Sequence, residues 1–411
     1  MEGDIMETEE VYARFVDWLR KCGAYVPDSK ELMPLIKASY RPEEARLLTG
    51  MPLTPVDLQE LEALKYVDAR DLAAALDDLA KRGLVFRSDE AGKITYRLNS
   101  FRFAFLRSFF WPGREDEYTR SVSSHVSRYY LDGLGDHWKD VHTKGLRVVP
   151  IRRTVDDPRQ ILPYEDVREL LLQQELFAVA HCPCRHRARI DGSASACRHE
   201  TENCLHFGKL ADYIIKNELG REITREESEA ILTRAAEAGL VHAVSNWQRD
   251  VDTICNCCSC CCVYFRGFHV LKHNSAMNAS RHEIQINPET CQGCGLCVKR
   301  CPINALHLVA HPAANNKSGQ VTVSIPGLCI GCGICAYKCP TGSLSLKTRQ
   351  QGIEPPMDVN DLKKKYAQEL AAARTFRGET VPDEPRFADV SSGDSAGPPD
   401  GNQGAGAGKA E

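Results

Sequence analysis

The sequence predicts an α+β, multidomain chain. A helical unit covers residues 1–113, a cysteine-rich α/β unit 114–280, and a small unit with two repeated cysteine quartets 281–348. A helical extension over 349–377 and a disordered tail over 378–411 follow. Three observations carry that division. Apolar residues recur at helical spacing through roughly the first 110 positions. All of the 19 cysteines except Cys22 lie between Cys182 and Cys339. From about residue 378 the chain is rich in Gly, Pro, Ser and acidic residues and has too little apolar surface to fold.

At 411 residues, with 43% hydrophobic and 26% charged content, the chain has the composition of a soluble globular protein with room for several cores. A net charge of -4 argues against a general polyanion binder. No apolar run approaches the ~18 residues of a spanning helix. The opening "MEGDIMETEEVYARF" lacks the basic-then-apolar pattern of a secretory leader, so a cytoplasmic location is expected. In that reducing compartment dense thiols point to metal rather than to disulfides.

In the N-terminal unit, "TEEVYARFVDWLRKCG" has helical apolar spacing and a glycine stop. Cys22, alone in this pattern, reads as a small packed hydrophobe. Three shorter helical patterns begin at Pro, Thr or Asp: "SYRPEEARLLTGM", "TPVDLQELEALKYV" and "DARDLAAALDDLAKRG". "GLVFRSDEAGKITYRL" then alternates on both sides of a turn containing Asp89 and Gly92, a hairpin pattern. Helices followed by a hairpin over residues 40–98 resemble a winged-helix domain. The third helix carries Asp68, Asp71, Asp77 and Asp78 against Arg70, Lys81 and Arg82, a balance that repels phosphate, so nucleic acid is disfavoured and docking preferred.

"FRFAFLRSFFWPG" (101–113) reads as a connector packed into a domain interface, with an exposed partner-docking strip as the alternative. Further on, "LRVVPI" reads as a strand, "YEDVRELLLQQE" as a helix and "LFAVAHC" as a buried strand leading into the first thiols. In "REITREESEAILTRAAEAGLVHAV", Thr224 and Glu227 form a capping-box pair and Gly239 supplies the stop.

"CQGCGLCVKRCP" and "CIGCGICAYKCP" each read C-x2-C-x2-C-x3-C-P. They contain Cys291, Cys294, Cys297 and Cys301, then Cys329, Cys332, Cys335 and Cys339. Interposed glycines allow the backbone to wrap closely and to turn N–H groups toward sulfur. This pattern resembles the bacterial-type dicluster ferredoxin domain over about residues 283–347, which implies a ferredoxin-like fold and two [4Fe–4S] clusters. The resemblance also implies crossed ligation: Cys291, Cys294, Cys297 and Cys339 for one cluster, and Cys329, Cys332, Cys335 and Cys301 for the other. Leu296, Ile303, Ile330 and Ile334 are expected to keep water away, and "NALHLVAHPAANNKSGQVTVSI" to form two strands with an exposed tip. Zinc is the competing ion.

Ten further thiols precede this module. Cys182, Cys184, Cys197 and Cys204 follow a C-x-C-x12-C-x6-C spacing, and "CNCCSCCC" adds Cys255, Cys257, Cys258, Cys260, Cys261 and Cys262. Neighbouring side chains diverge, so the run cannot aim all its sulfurs at one metal. A composite site closed by both segments is expected, though no ligand map follows from spacing. Three readings stay open: one or more additional iron–sulfur centres, a structural zinc at the upstream four, or metal storage or thiol sensing. Arg185, Arg187 and Arg189 either offset sulfur charge or form a solvated face. His181, His186, His199 and His206 are candidate substitutes for a thiol.

Together these features point to an iron–sulfur electron-transfer protein, or to the electron-transfer subunit of an anaerobic oxidoreductase, with a redox partner protein. The chain would relay single electrons through two [4Fe–4S] clusters to or from a further cysteine-ligated centre. No Gly-rich dinucleotide fingerprint is present, so hydride chemistry falls to the partner. Two alternatives remain: a reductase whose catalytic iron–sulfur centre lies in the ten-cysteine domain, and a cluster-dependent winged-helix regulator. Motifs alone leave open whether the chain is itself an enzyme, and they name no catalytic residue.

Overall fold

The computed structural model describes residues 2–24, 26–65, 69–136, 139, 141–194, 196–350 and 354–376. Asp68 and the tail expected to be disordered over 378–411 lie outside these residues.

The N-terminal elements are α1 (Glu2–Lys21), α2 (Leu32–Ser39), α3 (Pro42–Leu48), β1 (Val56–Asp57), α4 (Leu58–Lys65), α5 (Ala69–Lys81), β2 (Val85–Glu90) and β3 (Lys93–Leu98). The strands make an antiparallel sheet in the order β1-β3-β2. Pro42 opens α3, where a missing N–H costs nothing, and the Glu44 carboxylate accepts from the Arg41 amide at 2.9 Å. Cys22 packs half-buried against this core, its thiol 3.5 Å from the Leu19 carbonyl.

The core continues through α6 (Phe101–Leu106) and α7 (Glu117–Tyr129), which ends in a π turn over Tyr130–Leu134. Phe101, Phe105, Phe109, Phe110 and Trp111 are buried, and Trp111 lies 4.7 Å, ring to ring, from His206 of the middle domain. The aromatic stretch is therefore a seam between the helical core and the neighbouring sheet; its rings are spent on packing, which removes the docking-strip alternative.

The middle of the chain comprises β4 (Leu146–Val148), α8 (Val167–Leu172), β5 (Phe177–His181), α9 (Pro183–Ile190), β6 (Glu202–Phe207), α10 (Gly208–Lys216), β7 (Arg221–Glu222), α11 (Arg225–Ala238), β8 (Val241–Ser245), β9 (Thr253–Cys257) and α12 (Val263–His269). One antiparallel sheet runs β4-β8-β9-β6-β5-β7. Strand β9, bearing Cys255 and Cys257, sits between β8 and β6, and β6 bears Cys204. Helix α11 starts at Thr224, whose hydroxyl accepts from the Glu227 amide at 3.1 Å, and stops at Gly239 in the left-handed region (φ 82°). The Glu227 carboxylate pairs with Arg221 at 2.6 Å, so the reciprocal half of the capping box is diverted.

The last unit consists of β10 (His282–Ile286), α13 (Leu296–Arg300), β11 (Leu306–Ala310), β12 (Gln320–Ser324), α14 (Ile334–Tyr337) and β13 (Leu344–Thr348), followed by α15 (Val359–Phe376). β10 pairs with β13 and β11 with β12, both antiparallel, and residues 311–319 form the tip between the latter. The middle segment adds a bridge from Val155 to Leu346. From α15, Glu369 accepts from the amide and hydroxyl of Thr143 at 2.7 and 2.6 Å.

Candidate metal centres

In the C-terminal unit each cysteine run wraps a loop that ends in a short helix, α13 or α14. Gly331 shows what the loop requires: its φ is 69°, and a Cβ there would lie 2.2 Å from the His282 carbonyl oxygen and the Ser280 hydroxyl. Only glycine lets the backbone between Cys329 and Cys332 press against β10.

Cys301, Cys329, Cys332 and Cys335 line one cavity together with Ile284, Ile303, Leu306, Ile330 and Leu346. Cys301 thus leaves its own run for the other. At the opposite end the Ser343 hydroxyl serves both Cys339, at 3.3 Å, and Cys291, so Cys339 sits with the first run. Hydrogen-bond donors surround these sulfurs: the Ala305 amide lies 3.1 Å from Cys301 Sγ, the Gly331 amide 3.4 Å from Cys329 Sγ, and the Thr322 hydroxyl 3.1 Å from Cys297 Sγ.

Burial pushes the Cys332 thiol up to about 12 and raises Cys335 well above its ordinary value. Burial also acts on Cys291, but the amides of Thr322 and Gly293 outweigh it and hold that thiol low. Four thiols converging on an apolar, amide-lined cavity fit a [4Fe–4S] cubane, whose iron would offset part of the thiolate charge that burial opposes. Ile303, Ile330 and Ile334 are buried as expected of a water-excluding shell. Leu296 is not: it is 40% exposed beside the exposed Cys294, because α13 turns that face outward.

The middle domain divides its ten thiols. The sulfurs of Cys197, Cys258, Cys260 and Cys261 lie within 4.8 Å of one another; Cys260 is exposed and the other three are buried. Pairing sets their acidities. Hydrogen bonds from Cys260 and Cys261 hold Cys258 far below an ordinary thiol, whereas Cys260 is pushed up to about 12 by the same contact.

The other sulfurs form a chain of pairs: Cys204 with Cys255, Cys255 with Cys257, Cys257 with Cys262, and Cys262 with Cys184. Strand register explains the first pair. Leu205 stands opposite Ile254, so one step along the antiparallel ladder Cys204 meets Cys255. Cys255 and Cys257 share a face of β9 by strand alternation. Cys262 caps α12 and receives amides of Phe265 and Tyr264, which together with its thiol pairs hold it well below its usual value. Cys182 caps α9 beside Cys184 and lies near Cys204 and Cys255 but also near Cys258 of the first group; burial pushes it up to about 11 against the nearby Arg185. The upstream four expected for a zinc site are therefore separated, with Cys197 in one group and Cys182, Cys184 and Cys204 in the other.

Arg185 and Arg187 are 0% and 1% exposed, which rules out a solvated face for both; Arg189 is half-buried, with its guanidinium on the His199 carbonyl. Arg185 Nε and Arg187 Nε and Nη2 have no hydrogen-bond partner. Of the four candidate histidines, the His181 ring meets Thr201 and the His186 ring the Arg114 carbonyl; the His206 ring meets Thr253 but leaves Nε2 buried without a partner, and the His199 ring lies near Cys258 while its carbonyl accepts from Arg189. Arg107, from the aromatic seam, adds positive charge beside Cys204 and Cys255 and hydrogen-bonds Thr253 at 2.8 Å. Nothing in its sequence neighbourhood marked it, since its partners come from distant strands.

Among the described residues no helix is long and apolar enough to cross a membrane. Neither a curated protein nor a solved structure matches the chain. Residues 284–307 and 322–345 match the 4Fe-4S binding domain family, the two stretches that carry the paired quartets. With the thiol cavity and its amide donors, that match identifies residues 284–345 as a 4Fe–4S binding domain.

Proposed function

We propose that the chain is an electron relay in which the 4Fe–4S domain passes single electrons to or from thiol-held centres in the middle domain, on behalf of a redox partner protein. One observation carries this reading. Cys301 and Cys332 of the C-terminal unit share a single apolar core with Cys255, Cys257 and Cys262 of the middle domain, through Ile303, Ile330, Phe265 and Met277.

That core gives the relay a direction. The quartet of Cys301, Cys329, Cys332 and Cys335 is the inner one. The quartet of Cys291, Cys294, Cys297 and Cys339, with exposed Cys294 and Leu296, is the outer one, where a partner can approach. A bound cubane supplies one-electron exchange. The chain's own residues hold the sulfurs, exclude water through Ile303, Ile330 and Ile334, and aim amide and hydroxyl donors at the thiolates.

The N-terminal unit bears on the regulator alternative. The order helix–strand–helix–helix–hairpin supports the winged-helix reading of the N-terminal unit. Its cations, however, are already committed: Arg82 to Glu44 and Arg87 to Asp77 within the unit, and Lys81 to Glu218 of the middle unit. Few remain for phosphate, which favours docking over nucleic acid.

The test is iron and acid-labile sulfide analysis of anaerobically purified protein, with electron paramagnetic resonance during redox titration. The 4Fe–4S domain alone accounts for about eight irons and eight sulfides per chain. Colourless protein, or zinc in place of iron at the two quartets, overturns the reading.

A further inference from the structure

We infer that the ten thiols of the middle domain build two separate metal centres in series. A four-thiol centre uses Cys197, Cys258, Cys260 and Cys261. A six-thiol centre uses Cys182, Cys184, Cys204, Cys255, Cys257 and Cys262. The inference deepens the relay reading and rests on it.

The partition follows from how the cysteine run folds. Cys255 and Cys257 lie on one face of β9, and Cys262 caps α12. The turn between them, residues 258–261, carries Cys258, Cys260 and Cys261 the other way, where they meet Cys197. Adjacent cysteines diverge at both joints, Cys257 from Cys258 and Cys261 from Cys262. A run of six thiols in eight residues is thereby a two-sided wall, with a different partner segment on each side.

The two groups occupy different surroundings. Cys197, Cys258 and Cys261 pack with Ala188, Ala235 and Leu240. Cys257 and Cys262, with Cys255 against them, belong to the core shared with Cys332. The six-thiol group is therefore next to the inner quartet, and the four-thiol group lies beyond it, ending at the exposed Cys260.

Buried cations flank both groups. Arg185 lies between them, near Cys182 and Cys255 on one side and near Cys197 and Cys258, which it hydrogen-bonds, on the other, while Arg187 faces Cys184. Both guanidiniums are fully buried: Arg185 donates to the Glu200 and Asn256 carbonyls and to the Asn203 side chain and leaves only Nε without a partner, and Arg187 leaves Nε and Nη2. A buried guanidinium without an anion is strongly unfavourable, so each is explained by a thiolate-rich, negatively charged centre beside it. Four converging sulfurs complete the protein ligand set of one thiophilic tetrahedral ion or one cubane. Six exceed either and suit a larger cluster, or one cubane with two reserve ligands.

The test compares iron, zinc and sulfide per chain, with electron paramagnetic resonance, in anaerobically purified full-length wild type, Cys197→Ser and Cys204→Ser. Each variant is expected to lose the metal and spectral component of its own centre and to keep the other's, together with the about eight irons of the 4Fe–4S domain. Retention of those irons reports that the variant has folded. If Cys197→Ser does not fold, Cys260→Ser at the exposed position replaces it. Loss of all metal beyond those eight irons in either variant overturns the partition in favour of a single composite centre. Wild type with about eight irons and no further metal overturns both middle-domain centres while leaving the 4Fe–4S domain intact. A wild type lacking even those irons overturns the relay itself.

Discussion

Thr322 puts its hydroxyl 3.1 Å from Cys297 Sγ, where it can donate to a thiolate and ease reduction of whatever that sulfur binds. Thr322→Val keeps the shape and removes the donor. The potential of the outer quartet's cluster should fall by a few tens of millivolts, because a hydrogen bond of about 1 kcal/mol corresponds to roughly 40 mV for one electron. A titration monitored by electron paramagnetic resonance reads the shift, and an unchanged potential would remove Thr322 from the sulfur's environment. His282 offers a second single-residue test. Its ring is 0% exposed and neither nitrogen has a partner; burial, then the charges of Arg281 and Arg349, push its pKa down to about 4. The folded value lies below that of a free imidazole, near 6.5, so the unfolded chain binds the proton first as pH falls. Stability is fully present above about pH 6.5 and declines from there toward pH 4, by up to about 3 kcal/mol. Between about pH 7.5 and 5.5 the melting temperature of His282→Gln should therefore fall less than that of wild type.

At the level of elements, Arg82 at the end of α5 ties several helices together. Its guanidinium donates to Glu44 of α3 at 2.6 Å, to the Ser39 carbonyl closing α2 at 2.8 Å, and to the Tyr118 hydroxyl of α7 at 2.6 Å. The Glu44 side chain is 4% exposed and keeps Arg41, at 2.7 Å, as a second charged partner, so Arg82→Leu removes one of two charged partners from a buried carboxylate and should cost about 2–3 kcal/mol in denaturant unfolding. A loss below about 1 kcal/mol would mean that the pair behaves like a surface salt bridge. Gly331 is the corresponding element test in the 4Fe–4S domain. Gly331→Ala drives a Cβ into β10 and should roughly halve the iron of that domain, from about eight to about four, by disabling the inner quartet. The start and stop of α11 were legible from Thr224 and Gly239 because caps are local. The diversion of Glu227 to Arg221 was not, since it depends on β7 being adjacent.

Across the whole molecule, the ordering of centres makes its own prediction. If the inner quartet lies between the outer quartet and the middle domain, the fully reduced wild type should give a magnetically coupled spectrum. Cys332→Ser should simplify it to that of an isolated outer cluster plus middle-domain components. A spectrum of Cys332→Ser that keeps the outer cluster's coupling intact would place its magnetic neighbour elsewhere. The seam of Phe101, Phe105, Phe109, Phe110 and Trp111 holds the N-terminal core against the sheet carrying the thiols, and Arg107 within it reaches Thr253 on β9. The N-terminal unit and the thiol-bearing sheet are thus joined through packed side chains.

The amino-acid sequence by itself determined the 4Fe–4S module, the two-strand insertion with its tip, and the start and stop of α11. Each of these is written in residues a few positions apart, where spacing alone dictates which side chains meet. Only the tertiary structure decided that Cys204 stands beside Cys255, that Cys197 joins the turn at residues 258–261, and that Arg185 and Arg187 are buried among sulfurs. It also decided that Leu296 faces outward. Those outcomes depend on strand order and on which faces of β6, β9 and α9 are covered, and sheet order is set by burial over the whole domain rather than by any local pattern.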